Sequence, residues 1–200
     1  MKSFWKNHEF VLMRDGQDGD CLDMERIIKL IESDSMRMKA LKAVRTLGLP
    51  DWLIAAGFVR NLIWNRLYGT AVGLNDVDVI YFCRQDSSEE RDRRLEEEIH
   101  AVCPDLPWSI TNQARMHVSN GDRPHQSSLD AMSYWPEKQT CIGITLDHSG
   151  QMHVHHCFDL SLQFNGTITQ NPKRSLETFN RRVRSKGWLE TWPLLRVEAS

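Results

Sequence analysis

The chain has 200 residues, 40% hydrophobic and 26% charged, with a formal net charge of −2 from 25 Lys and Arg against 27 Asp and Glu. That balance suits one globular domain with a sizeable core, and it lacks the overall positive field that would advertise nucleic acid as a partner. No apolar run approaches the roughly 20 residues that span a bilayer, and the first ten residues lack the apolar core of a signal peptide, so a cytoplasmic protein is expected.

The five cysteines, Cys21, Cys83, Cys103, Cys141 and Cys157, are odd in number and contain no C-x-x-C pair, so reduced thiols are expected rather than disulfides or a zinc ribbon. Residues 1–20 read as an N-terminal extension and 21–200 as the single domain. Within the extension, D-G-Q-D-G-D lacks the spaced Glu of a calcium loop and reads as a solvated turn.

Residues 23–47 carry Met24, Ile27, Ile31, Met38 and Leu41 at helical spacings, with Asp34 and Ser35 as a break into two helices. Gly48 and Pro50 stop the helix, and 52–56 form a short apolar run of strand length. A helix is expected over 57–68, burying Val59, Leu62, Ile63 and Leu67 and turning Asn61, Trp64 and Asn65 outward, with Gly69 as its end signal. A strand follows over 75–82, then a charged helix announced by Ser87 and Glu90 in S-x-x-E. Further elements are a strand over 108–112, a polar loop over 119–126 and a short helix over 128–134. Strands over 140–146 and 151–157 are joined by D-H-S-G, and a last helix spans 176–185. The order implies an α/β (α+β) domain in which helices pack on a mixed β-sheet.

Chemistry concentrates between residues 55 and 82. Alternation along a strand puts Asp76 and Asp78 on one face, about 6 to 7 Å apart along the backbone, a pair that suits a hard divalent cation and phosphate oxygens. A short strand running into a glycine-led helix aims that helix's unpaired N–H groups and positive dipole end at whatever lies before it. Gly57 leaves room for an anion there, and Arg60 in the first turn can reach a phosphate. Arg115 and His117 are expected to alternate along an extended segment and present a cation and an imidazole to one pocket. His153, His155 and Cys157 alternate in the same way, but without a fourth ligand they read better as hydrogen-bonded strand residues than as a zinc site.

Taken together, A-G-F-V-R-N at 56–61, N-D-V-D-V-I-Y-F at 75–82, N-Q-A-R-M-H at 112–117, Y-W-P-E at 134–137 and F-N-R-R-V at 179–183 resemble a bacterial family of predicted nucleotidyltransferases. That family lies within the DNA polymerase beta-like nucleotidyltransferase superfamily, and the resemblance covers roughly residues 25 to 195. It implies the nucleotidyltransferase fold and transfer of a nucleoside monophosphate from an NTP to an acceptor it does not identify. By the same resemblance, Asp76 and Asp78 are catalytic metal ligands for Mg²⁺ or Mn²⁺, and Gly57, Arg60 and Asn61 lie at the nucleotide. Asn112, Arg115 and His117 are assigned to the substrate side.

Superfamily members usually add a third carboxylate from a later strand, and here the matching strand W-S-I-T-N-Q offers Asn112, which cannot take a proton at neutral pH. Three alternatives follow. Another acid, such as Asp105, Asp122 or Asp159, folds into the site; a histidine or the substrate supplies the base; or the chain binds nucleotide or a protein partner with weak or no catalysis.

Overall fold

The structure is a computed structural model that describes residues 16–199. Helix α1 (Gly16–Glu32) begins inside D-G-Q-D-G-D, so the turn expected there is a helical first turn, and α1 continues past residue 20. Between α1 and α2 (Ser35–Thr46) the chain breaks at Asp34, whose carboxylate accepts a hydrogen bond from the Arg37 backbone N–H at 3.0 Å. This satisfies a donor that the new helix would otherwise leave open.

The chain then forms β1 (Leu53–Ala55), α3 (Gly57–Tyr68), β2 (Val77–Tyr81), α4 (Glu89–Val102), β3 (Trp108–Asn112), α5 (Met116–Asn120) and α6 (Ser128–Met132). It continues with β4 (Ile142–Leu146), β5 (Met152–His156), β6 (Thr167–Thr169), α7 (Leu176–Ser185), α8 (Trp188–Thr191) and β7 (Arg196–Glu198). The main sheet has the order β3-β2-β1-β4-β5; β2 and β3 run parallel and the other neighbours antiparallel. A small parallel pair, β6 with β7, lies apart from it. This is the mixed sheet with packed helices that the element order implies.

Side-chain alternation gives the main sheet two different faces. Ile54, Val77, Val79, Ile142 and Ile144 join Ile27, Ile31, Leu41, Val44, Phe58 and Ile63 in the large core. Leu53, Ala55 and Ile80 point the other way, toward Met132 and Cys141. A further core gathers Trp64, Ile168, Phe179, Val183, Trp188, Trp192 and Leu195.

Helix α3 belongs to two of these cores, which corrects the expected orientation of its faces. Trp64 is fully buried and Asn65 nearly so, while Leu67 is on the rim at 36% exposure. Asn65 donates to the Val72 carbonyl at 2.8 Å and accepts from the Thr70 hydroxyl at 2.8 Å, which meets the cost of placing an amide inside. Two local assignments also change. Ser88, not Ser87, caps α4, accepting from Arg91 N at 3.3 Å, while Asp86 holds the Ser88 hydroxyl at 2.6 Å. The segment around Arg115 and His117 is not extended: Arg115 stands immediately before the short helix α5, with helical backbone angles, and His117 lies within it.

The turn from β1 into α3 is tight. Ala56 has φ 56° and ψ −119°, a conformation favouring glycine, and no side chain caps the helix that follows. Ala56 is held there by its N–H, which donates to the Ile142 carbonyl at 2.9 Å, and by its carbonyl, which accepts from Val59 and Arg60. Replacing Ala56 with Gly relieves the strain against a smaller entropic loss, a net gain of about 1 kcal/mol. A thermal melt is then expected to rise by about 2–4 °C, and an unchanged or lower midpoint would contradict the strain.

Candidate active site

The tight turn opens into a pocket of about 240 Å³ lined by Ala56, Gly57, Arg60, Asn61, Asp76 and Asp78 on one side and by Thr140, Arg182, Lys186 and Trp188 on the other. The first group comes from the β1–α3 turn and β2. The second comes from the 3₁₀ turn Lys138–Thr140, from α7 and the residue that follows it, and from α8.

Asp78 projects from β2 on the face opposite Val77 and Val79, and Asp76 stands one residue before the strand, exposed. Burial, and next the neighbouring Asp76 charge, push the Asp78 carboxyl above the ordinary aspartate value of 3.8, while Lys186, Arg60 and Arg182 pull it back down. Two carboxylates that repel one another at the mouth of a cationic pocket form a hard-oxygen donor pair that a divalent cation would relieve.

Arg60 is 5% exposed, so its guanidinium is part of the pocket wall. One Nη donates to Thr140 Oγ1 at 2.6 Å, while Nε and the other Nη donate to Asn61 Oδ1 at 3.1 and 2.8 Å. It lies over the rings of Trp64 and Trp188, 4.9 and 4.4 Å from their centroids. Burial lowers its pKa to about 10, with the Arg182 charge acting in the same sense and Glu137 and Asp78 opposing. Gly57 has little room for a side chain, since a Cβ would stand 3.1 Å from Asn61 Nδ2.

Sequence reasoning missed Arg182 and Lys186. They stand four residues apart, and so on one face of a helix, a signal that only a known partner surface makes specific. Arg182 Nε donates to Glu137 Oε1 at 2.9 Å.

The structure does not bring Asn112, Arg115 or His117 into this pocket. The β2–β3 register pairs Asp78 with Ser109 and Asn112 with Tyr81, so Asn112 belongs to the opposite face of the sheet. Its amide is fully used: Oδ1 accepts from Cys83 N at 3.1 Å and Ala114 N at 3.0 Å, and Nδ2 donates to the Cys83 and Asp86 carbonyls at 2.8 and 3.0 Å. Arg115 is ion-paired with Asp92, and His117 meets the edge of His125, with ring centroids 6.0 Å apart.

The three other acids are engaged elsewhere. Asp105 pairs with Lys39, Asp122 takes both arms of Arg174 at 2.6 Å, and Asp159 caps a 3₁₀ turn by accepting from Ser161 N. Within the histidine strand, His153 bonds Asp147 at 3.0 Å, His155 bonds Thr145 at 3.2 Å and the Cys157 thiol points to the Leu129 carbonyl. Among the described residues no three His, Cys, Asp or Glu side chains could together hold a metal ion, and no helix is long and apolar enough to cross a membrane.

A glycine-led helix after a short strand, a D-x-D pair on the antiparallel neighbour of that strand, and helices packed on a mixed sheet define a nucleotidyltransferase fold of the DNA polymerase beta-like type. The chain belongs to a nucleotidyltransferase family, whose model matches residues 42–197. A solved NMR structure described as revealing a CCA-adding enzyme head domain is 30% identical, covers 88% of this chain and 96% of its own, and superposes with a TM-score of 0.79. A CCA-adding enzyme in complex with ATP is 16% identical with a TM-score of 0.50, covering 92% of this chain but 43% of its own, so this chain spans under half of that protein and shares its fold. No curated protein matches the chain.

The bonding of Asn112 predicts the outcome of restoring an acid there. Asn112→Asp replaces two donated hydrogen bonds with a carboxylate facing two carbonyls, at a cost of about 3 kcal/mol. Denaturant unfolding is expected to show that loss with no gain in nucleotide turnover; a gain would place residue 112 in the site after all.

Proposed function

We propose that this protein transfers a nucleoside monophosphate from an NTP to an acceptor, with Mg²⁺ or Mn²⁺ held by Asp76 and Asp78. The observation that carries the reading is the facing of these two carboxylates by Arg60, Arg182 and Lys186 within one concave pocket. When bound, the cation supplies charge neutralisation for the phosphates and the leaving pyrophosphate. Asp76 and Asp78 offer only two side chains to it, so its remaining ligands are phosphate oxygens and water, the usual arrangement for Mg²⁺.

The chain's own residues account for donor binding. Arg182 on α7 and Lys186 just after it are the accessible cations for the phosphates, while Arg60 supplies a fixed positive charge from the wall. Gly57 and the uncapped start of α3 add backbone N–H groups and the positive end of the helix dipole. Binding of this kind converts a bimolecular attack into an oriented one and stabilises charge on the transferring group. An assay for addition of C-C-A, the activity named for the similar head domain, belongs in the acceptor panel.

Proton transfer limits this reading. Among the described residues no histidine lines the pocket, and there Asp76 and Asp78 are the only side chains suited to take a proton from an acceptor hydroxyl at neutral pH. If both ligate a cation, neither is left as a base. That favours, as a second reading, a protein that binds nucleotide with slow or no turnover.

Asp76→Ala and Asp78→Ala are each expected to lower Mg²⁺-dependent turnover by about 10²–10³-fold while circular dichroism shows an intact fold. Full activity in both variants would remove the metal assignment. Nucleotide binding by calorimetry without pyrophosphate release, across the acceptor panel, would select the second reading.

The Asp78 shift gives a pH test. Because its folded-state pKa is raised, the ionised form that binds a cation is lost on acidification at a higher pH than for a free aspartate. The acid limb of Mg²⁺-dependent activity is therefore expected above the ordinary value of 3.8 and should move to lower pH as Mg²⁺ is raised. A limb that does not respond to Mg²⁺ would assign it to another group.

A further inference from the structure

We propose that Glu137 is a positioning residue whose buried carboxylate aims the Arg182 guanidinium into the donor pocket. The proposal rests on reading that pocket as the triphosphate site, and it assigns Glu137 no contact with substrate.

Glu137 is buried, and it sits at the start of the 3₁₀ turn Lys138–Thr140. Its backbone is held from both sides: it bridges to Gln170, and its carbonyl accepts from the Thr140 N–H at 3.1 Å. The side-chain Oε1 accepts from Arg182 Nε at 2.9 Å, whereas Oε2 is buried without a hydrogen-bond partner. Removing a carboxylate from water is costly, and leaving one of its oxygens unpaired adds to the cost, so this group is a poor device for stability alone.

The geometry suits orientation instead. The side chain of Glu137 is 1% exposed and that of Arg182 is 36% exposed, so the anchor lies inside while the guanidinium reaches the pocket. Nε is the guanidinium nitrogen nearest the helix. Fixing it leaves both Nη groups, the pair that meets phosphate oxygens bidentately, outside the anchoring bond. The anchor also has an electrostatic reason: the positive charges of Arg182 and Arg60 oppose each other, and the Glu137 charge favours Arg60. Without it, a half-exposed arginine on α7 would turn toward water and away from the second cation.

The test uses the whole protein, inorganic triphosphate as the probe in calorimetry, and the Arg182 Nε–H resonance followed by NMR without ligand. Arg182→Ala is expected to weaken triphosphate binding about tenfold, as for loss of a hydrogen bond to a charged group. Glu137→Ala should weaken it comparably, and the double variant should bind no worse than Arg182→Ala alone, because both changes remove one interaction. Glu137→Gln keeps an acceptor for Nε and removes a negative charge, so its affinity should equal or exceed that of the unsubstituted protein. The Arg182 Nε–H signal should be protected from exchange in the unsubstituted protein and lose that protection in Glu137→Ala.

Multiplying losses in the double variant, wild-type affinity in Glu137→Ala, or an Arg182 signal indifferent to Glu137 would each overturn the proposal. Should Glu137→Ala not fold, Glu137→Asp, which withdraws the acceptor by one methylene, gives the same comparisons. Failure of the functional reading looks different: the unsubstituted protein would bind no triphosphate, which overturns the aiming role, although the Arg182 signal would still report the anchor.

Discussion

Trp64 meets Trp188 and Trp192 edge-on, with ring centroids 5.9 and 5.1 Å apart, and this contact holds α7 and α8 against α3. Phe179 and Val183 of α7 pack in the same cluster, which sets the rotation of that helix. Arg182, next to Val183, is thereby turned toward the pocket, and Lys186 follows one turn later. Asp78 and Asp76 stand in β2 and just before it, and Arg182 and Lys186 in α7 and just after it, so their confrontation depends on aromatic packing beneath α7. Trp192 reinforces the arrangement by donating its indole N–H to Thr70 Oγ1 at 2.9 Å, beyond the end of α3.

Burying a guanidinium is the other constraint on the site. Arg60 is tolerated inside because Thr140 and Asn61 take its N–H groups and two indoles cover its faces. Its charge therefore stands at the pocket in a fixed place, with no side-chain ordering left to occur when an anion arrives. Arg182 is tied at Nε to Glu137, and Lys186, exposed just past the end of α7, is the more adaptable cation. The pocket thus combines two tethered positive groups with one that can adjust its position.

Much of this was legible in the sequence where one physical signal dominated. The glycine-led helix, the strand Trp108–Asn112 and the helix Leu176–Ser185 fall on the expected residues, whereas the Trp-rich segment after it, expected to follow the last helix, holds the short helix α8. Trp64 was misplaced because a helix buried on two sides loses the contrast between faces on which such reasoning relies. The family pattern alone sets Asn112 in the place of an acid. Only the parallel register with β2, which no local sequence feature encodes, shows it on the face opposite Asp78. Strands β6 and β7 have three residues each, too few for an alternating pattern to emerge.

The pocket walls come from distant parts of the chain, residues 56–78 on one side and 140–192 on the other. During synthesis the ribosome releases the acidic half and the strained turn at Ala56 well before α7 and α8 exist. A nascent chain can therefore complete much of its sheet while its cation-bearing wall is still missing. A chain cut before α7 would keep Gly57, Arg60, Asp76 and Asp78 on one side of the pocket and lack Arg182, Lys186 and Trp188 on the other.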